Sequence, residues 1–212
     1  MANATDDLAA QPAPRVLGFG PDSAVEVRQR DDTSWTVLRA LRYNARLRDF
    51  EVPVDGETDF ASVPRLFVWF LPRYGRYTAA AILHDHLWRV VVPASGGDLT
   101  WRDADGIFLQ AMRELGVPFL RRWIMWAAVR WAALTKRGGR AGWWREAWRV
   151  ALVTLVALPV VAPPAVLIAL ALVVFYLMEL VAWLPLRLAR AVRSRLGRRA
   201  KRVNQPHLRW TL

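Results

Sequence analysis

Residues 77–92, YTAAAILHDHLWRVVV, and residues 102–115, RDADGIFLQAMREL, decide how the front of this chain folds. In the first stretch Ala80, Ala81, His84, Leu87, Trp88 and Val91 recur at spacings of three and four, so they share one helical face. In the second, Asp105, Phe108, Leu109 and Met112 do the same, and Gly116 and Pro118 end the helix. A histidine and a carboxylate therefore sit on apolar stripes that turn inward, where either alone is costly to bury. The short Pro/Gly-rich connection, residues 92–100, lays the two helices antiparallel and lets His84 and Asp105 satisfy each other. Such a pair fixes the imidazole tautomer and raises its basicity, as a general base requires. The same pair also serves as a plain structural clip between helices.

Working upstream, Val25, Val27, Trp35, Val37, Phe50, Val52 and Val54 alternate with polar residues, and Asp31-Asp32 and Asn44 mark turns. Strands followed by a helical pair make the fold class α+β. Between them lies the acidic loop DGETDFASVPR, residues 55–65. Asp85 points about 100° away from His84 around the helix, toward this loop. There Asp55, Glu57 or Asp59 would join it as oxygen ligands for a hard cation such as calcium. Thr58, Asp59 and Ser62 equally suit side-chain turns that satisfy loop backbone groups. Asp103 and Asp105 also suit the first turn of a helix. His86 points elsewhere from His84 and is expected at the surface, and His207 lies in a basic tail.

The 212 residues contain no cysteine, which excludes disulfide scaffolds, thiolate nucleophiles and cysteine-based zinc sites. The formal charge of +12 is concentrated in the rear: residues 1–119 are net −3, residues 120–149 net +7, and residues 187–202 carry eight basic and no acidic groups. Residues 150–178 form 29 consecutive uncharged positions, longer than the about 20 that cross a bilayer. Pro159, Pro163 and Pro164 interrupt them, so the segment reads as one kinked transmembrane helix or as a helical hairpin turning at Pro163-Pro164. Basic residues on both flanks favour the hairpin, because short basic flanks tend to stay cytoplasmic.

Six tryptophans (Trp123, Trp126, Trp131, Trp143, Trp144 and Trp148) interleave with arginine just before this run. Indole rings and basic side chains suit the headgroup zone, so Trp143, Trp144, Trp148, Arg187 and Arg190 are expected at the membrane interface. The helix expected over residues 118–136 is either interfacial or packed on the front domain. Nucleic acid is the less economical partner for a basic surface beside so long an apolar run. The resulting organisation is a flexible leader (1–20) without a secretory h-region, a globular domain (21–140), a membrane segment (141–186) and a basic tail (187–212). The globular domain is expected on the cytoplasmic side of an inner membrane.

The string from Val52-Pro53 through Thr58-Asp59-Phe60-Ala61-Ser62-Val63-Pro64-Arg65, then Gly75-Arg76-Tyr77, Ala80-Ala81, His84-Asp85, and Ala104-Asp105 with Phe108, Met112 and Gly116, resembles a phage- and prophage-associated family. That family is catalogued as domain of unknown function 1353, and the resemblance covers about residues 20–135. It implies an aromatic, usually tyrosine, four residues after the histidine, where this chain has Trp88. His84-Asp85 with Trp88, followed by Asp105 and Phe108, is also similar to the active-site helices of secreted phospholipase A2. That likeness implies His84 as the base, Asp85 as a calcium ligand and Asp105 as the group that orients the histidine. The chain departs from it in lacking cysteines and a glycine-rich calcium loop.

Two functions are therefore expected to compete. One is a membrane-anchored hydrolase of a lipid or envelope ester, calcium-assisted through Asp85 and Asp59, with Thr58, Ser62 and Trp88 in support. The other is a non-catalytic phage membrane protein that binds a phage or host protein, with the His–Asp pair as a clip.

Overall fold

The computed structural model describes residues 17–195 apart from 21, 22, 47, 61, 62, 64, 73 and 137; of residues 65 and 190–195 only the backbone is described. The chain divides into two compact units: Met1–Phe60 with Tyr74–Glu146, and Ala61–Arg73 with Ala147–Leu212.

The first unit opens with six short strands in two three-stranded antiparallel sheets. One sheet has the order β1 (Gly18–Phe19), β4 (Leu41–Asn44), β5 (Asp49–Val52). The other has the order β2 (Val27–Gln29), β3 (Trp35–Val37), β6 (Glu57–Thr58). Alternation sets their faces: Leu41, Tyr43, Phe50 and Val52 point into the core, while Arg42 and Glu51 meet outside at 2.8 Å. Val25 and Val54, expected on the inner face, are 37% and 50% exposed because neither lies within a paired strand. Strand β1 forms inside what reads as leader in sequence, because Phe19 stacks on the buried Tyr43 ring at 4.9 Å.

The β2–β3 turn is closed by Asp31, whose carboxylate accepts from the backbone and hydroxyl groups of Thr33 and Ser34. These donors, the Ser34 hydroxyl foremost, hold its carboxyl well below the usual carboxylate range.

Helix α1 (Thr78–His86) buries Ala79 through Leu83 against the strands, where small alanines allow close approach. It continues through a π-helical turn, Leu87–Val91, into the short α2 (Val92–Ala94). Helix α3 (Trp101–Glu114) starts at a capping box: Thr100 Oγ1 accepts from the Asp103 N–H, and the Asp103 carboxylate accepts from the Thr100 N–H. It ends at Gly116, whose φ of +69° permits the Val117 N–H to reach back to the Met112 carbonyl. Helix α4 (Phe119–Ala133) packs on α3 and buries Met125, Trp126, Ala127, Arg130 and Ala133. Domain packing therefore describes this face of α4, while Phe119, Leu120 and Trp131 stay exposed.

In the second unit, α5 (Ala147–Arg195) is one continuous helix, and the 3-10 turn Arg65–Phe67 packs on it. The hairpin favoured by the basic flanks is not formed. Its first arm, residues 150–162, would be about 20 Å long, short of an apolar core of about 30 Å. A turn at Pro163-Pro164 would strand backbone polar groups in an apolar setting. The helix instead carries Pro159, Pro163, Pro164 and Pro185 within it. Residues Ala147–Ala189 are long and apolar enough to cross a membrane; an 18-residue stretch within them has a mean hydropathy of 2.6, with 6% of that stretch buried.

Candidate functional site

The site is built around Asp105, which is fully buried on the inner face of α3. Its Oδ1 lies 2.7 Å from His84 Nε2 on α1 and accepts from the Trp88 indole N–H at 2.8 Å. Its Oδ2 accepts from Arg130 Nη1 on α4 at 2.8 Å, and the Arg130 side chain has no solvent exposure. Two N–H donors that cannot act as acceptors, Trp88 and Arg130, keep Asp105 in the role of carboxylate acceptor. His84 Nε2–H is therefore the donor to Asp105, and in the neutral ring Nδ1 is the nitrogen with a lone pair.

Local sequence explains the placement. The Val92 N–H bonds to the Leu87 carbonyl, five residues back, and this wider turn is the one that carries Trp88 and Arg89. The His84 ring also lies against Phe108 of α3 at 4.8 Å between centroids. Arg130 continues into a second ion pair, with its Nε 3.4 Å from Glu146, which also meets Arg102 at 3.2 Å. The Trp143 indole donates to the Arg130 carbonyl at 2.8 Å. Acid and base alternate from Asp105 to Arg102, so the buried charges compensate one another.

On the other side of α1, Asp85 turns toward the acidic loop, as its position on the helix predicts. The Thr58 hydroxyl donates to its Oδ2 at 2.6 Å and the Asp59 N–H at 3.2 Å. Thr58 is fully buried and its hydroxyl also accepts from the Phe60 N–H, with Phe60 in the left-handed region at φ +57°. A bulky residue held there marks a backbone strained to shape the loop. Burial, reinforced by the neighbouring Asp59 charge, raises the Asp85 carboxyl well above the usual range. Asp59 itself is paired with Arg89 at 2.8 Å. Glu57 pairs with Arg30 instead of joining Asp85.

His84, Asp85, Trp88, Arg89, Trp101 and Lys136 line an open recess of about 290 Å³. The His84 side chain is 12% exposed at its wall while Asp105 is sealed behind it. The His84–Asp105 contact and the turn of Asp85 toward the loop are legible in the sequence, whereas the Asp59 carboxylate goes to Arg89 instead of joining Asp85; the places of Arg130, Glu146, Trp101 and Lys136 are not legible there. Arg130 carried a signal, since it falls on the α4 stripe with Trp126, Ala127 and Ala133.

Other expectations change. His86 is half-buried rather than at the surface, and desolvation lowers its pKa. Trp143 is buried, and its indole N–H donates to the Arg130 carbonyl. Trp144 and Trp148 are exposed at 82% and 62%, and Arg187 lies over the Trp183 ring at 5.0 Å. Arg190 is on α5, but its side chain, like Ser62 and His207, lies outside the described residues.

The fold and site define a small α+β module, locked by a buried acid shared among three helical segments, in a chain that also holds one long apolar helix. Residues 35–129 match the model of the family described as "Protein of unknown function (DUF1353)". Comparison with curated proteins finds no match, and comparison with solved structures finds none either.

Proposed function

We propose that the chain is a membrane-anchored ester hydrolase of phage or prophage type, with His84 as general base and Asp105 as the residue that orients it. The observation that carries this reading is the 2.7 Å contact from His84 Nε2 to the sealed Asp105, with the imidazole itself reaching the recess. In the reaction, Nδ1 accepts a proton from water as the water oxygen bonds to the ester carbonyl carbon. The proton then passes to the departing alkoxide, leaving an acid and an alcohol. The exposed apolar surface of α5 supports anchoring, since so large an apolar surface is not stable in water. Exposed Trp144 and Trp148, the latter under Arg149 at 5.2 Å, support an interfacial belt, and an anchored site meets lipid esters at high local concentration. The basic flank at residues 120–149 supports a cytoplasmic position for the globular unit.

Calcium fits this donor set poorly. It takes six to eight oxygens, whereas no cluster of three or more acidic or histidine side chains occurs among the described residues. Arg89 already supplies the positive charge beside Asp59. The proposed hydrolysis runs through His84 and Asp105; saturable calcium binding lost in Asp85→Asn would give calcium a part in it.

The test is release of fatty acid from phosphatidylglycerol vesicles by the full chain. His84→Gln should lower the rate roughly 100-fold or more while the protein stays folded. Equal rates in the two proteins, or no release by either, would remove the hydrolase.

A second reading, a non-catalytic partner-binding protein, is favoured by one observation. Asp105 accepts from three donors on α1, the π-turn and α4, as a clip would require. It predicts that His84→Gln chiefly lowers thermal stability.

A further inference from the structure

The recess also contains a positive charge that the dyad does not use. Lys136 is exposed, its ammonium lies 4.9 Å from the centre of the Trp88 ring, and no ion pair joins it to an acidic side chain among the described residues. Its loop is fitted to the aromatic wall. A Cβ on Gly138 would meet the Trp101 ring at 2.5 Å, and φ there is +81°. A Cβ on Gly139 would collide with the Ala133 carbonyl and reach Trp88 at 3.0 Å. Glycine at both positions therefore lets the backbone lie on Trp88 and Trp101 and brings Lys136 to the mouth.

We infer that the recess is an anion site for the phosphate of a phosphodiester such as a glycerophospholipid headgroup, with Lys136 as the residue that binds it. The inference deepens the hydrolase reading by naming the group that seats the substrate. Arg89 adds a guanidinium at the rim, held at Asp59. Asp85 is the acid among these lining residues, and its Oδ2 is taken up by the Thr58 hydroxyl and the Asp59 N–H. The volume sits at the lower end of ligand pockets, which suits a headgroup rather than whole acyl chains. Trp88 and Trp101, packed edge to face with centroids 6.1 Å apart, give the glycerol carbons an apolar wall.

The experiment is isothermal titration of the full chain, in maltoside micelles free of phosphate, with glycerophosphoglycerol and separately with inorganic phosphate. Glycerophosphoglycerol should bind the native chain. Lys136→Met should weaken it roughly tenfold or more, as loss of a charged hydrogen-bond donor does. Lys136→Arg should retain it, and Arg145→Met, exposed and outside the recess, should leave it unchanged. Equal binding of inorganic phosphate would keep the anion site and assign it to free phosphate rather than a lipid. No binding of either anion, or equal binding by Lys136→Met, would overturn the inference. Binding without vesicle hydrolysis would remove the hydrolase and leave the anion site. Hydrolysis with binding insensitive to Lys136 would do the reverse.

Discussion

Arg130 and Asp105 face each other at 2.8 Å, one on α4 and one on α3, and neither side chain touches solvent. An ion pair so placed makes one carboxylate the meeting point of α1, α3 and α4, with His84 and Trp88 as its other donors.

Removing one partner of such a pair leaves a bare buried charge. Arg130→Met is expected to cost about 3–5 kcal/mol, read as a fall in the denaturant midpoint of the full chain. An unchanged midpoint would mean that solvent reaches Asp105.

Trp88→Phe keeps the ring and removes the indole donor to Asp105. A hydrogen bond to a charged acceptor contributes about 1.5–3 kcal/mol, so the variant should be destabilised by that order. Stability equal to the native chain would show that another donor replaces the indole.

Asp85 sets a pH dependence whose direction follows from burial. Its carboxyl binds a proton more tightly folded than unfolded, where the ordinary value is 3.8. The folded state is favoured by that proton below the ordinary value, and the contribution is lost as pH rises through the raised one. Asp85→Asn, which cannot ionise, should therefore gain thermal stability relative to the native chain as pH rises from about 4 toward neutrality. Melting curves whose difference is flat across that range would contradict the burial of Asp85.

Gly139→Ala and Gly96→Ala separate crowding from backbone freedom. Gly139 has the Ala133 carbonyl and the Trp88 ring against it, whereas Gly96, at φ +64°, has nothing within 4 Å. Gly96→Ala should cost about 1 kcal/mol of left-handed strain, and Gly139→Ala distinctly more, with displacement of Trp88 seen in its indole N–H resonance. Equal costs would place the Lys136 loop away from the aromatic wall.

The chain has no cysteine, so single introduced thiols report topology cleanly. If α5 spans a bilayer as one helix, Asp98→Cys and Leu188→Cys should label from opposite sides with an impermeant maleimide. Labelling from one side would restore the hairpin.

The sequence disclosed what depended on periodicity. The stripes of α1 and α3 placed His84 and Asp105 inward, and the run from residue 150 onward announced a long apolar helix. It did not disclose what depended on meetings between distant segments. Arg130 looked like one more arginine in a basic belt, and Trp143 like one more interfacial indole, until both were seen buried against each other. Glycines 138 and 139 carried no periodic signal, because their role is the absence of a side chain where two tryptophan rings lie. The proline pair misled in the other direction: local stiffness argued for a turn, while the apolar surroundings favoured an unbroken helix.

The claim on which the chemistry rests is that His84 keeps its Nε2 proton and donates it in a hydrogen bond to Asp105, leaving Nδ1 for the recess. Long-range proton–nitrogen correlation of the histidine-labelled full chain measures this directly, with His86→Gln and His207→Gln assigning the three rings. The account predicts a neutral His84 ring protonated at Nε2, with that signal displaced in Asp105→Asn. A ring protonated at Nδ1 instead, or one indifferent to Asp105→Asn, would contradict it.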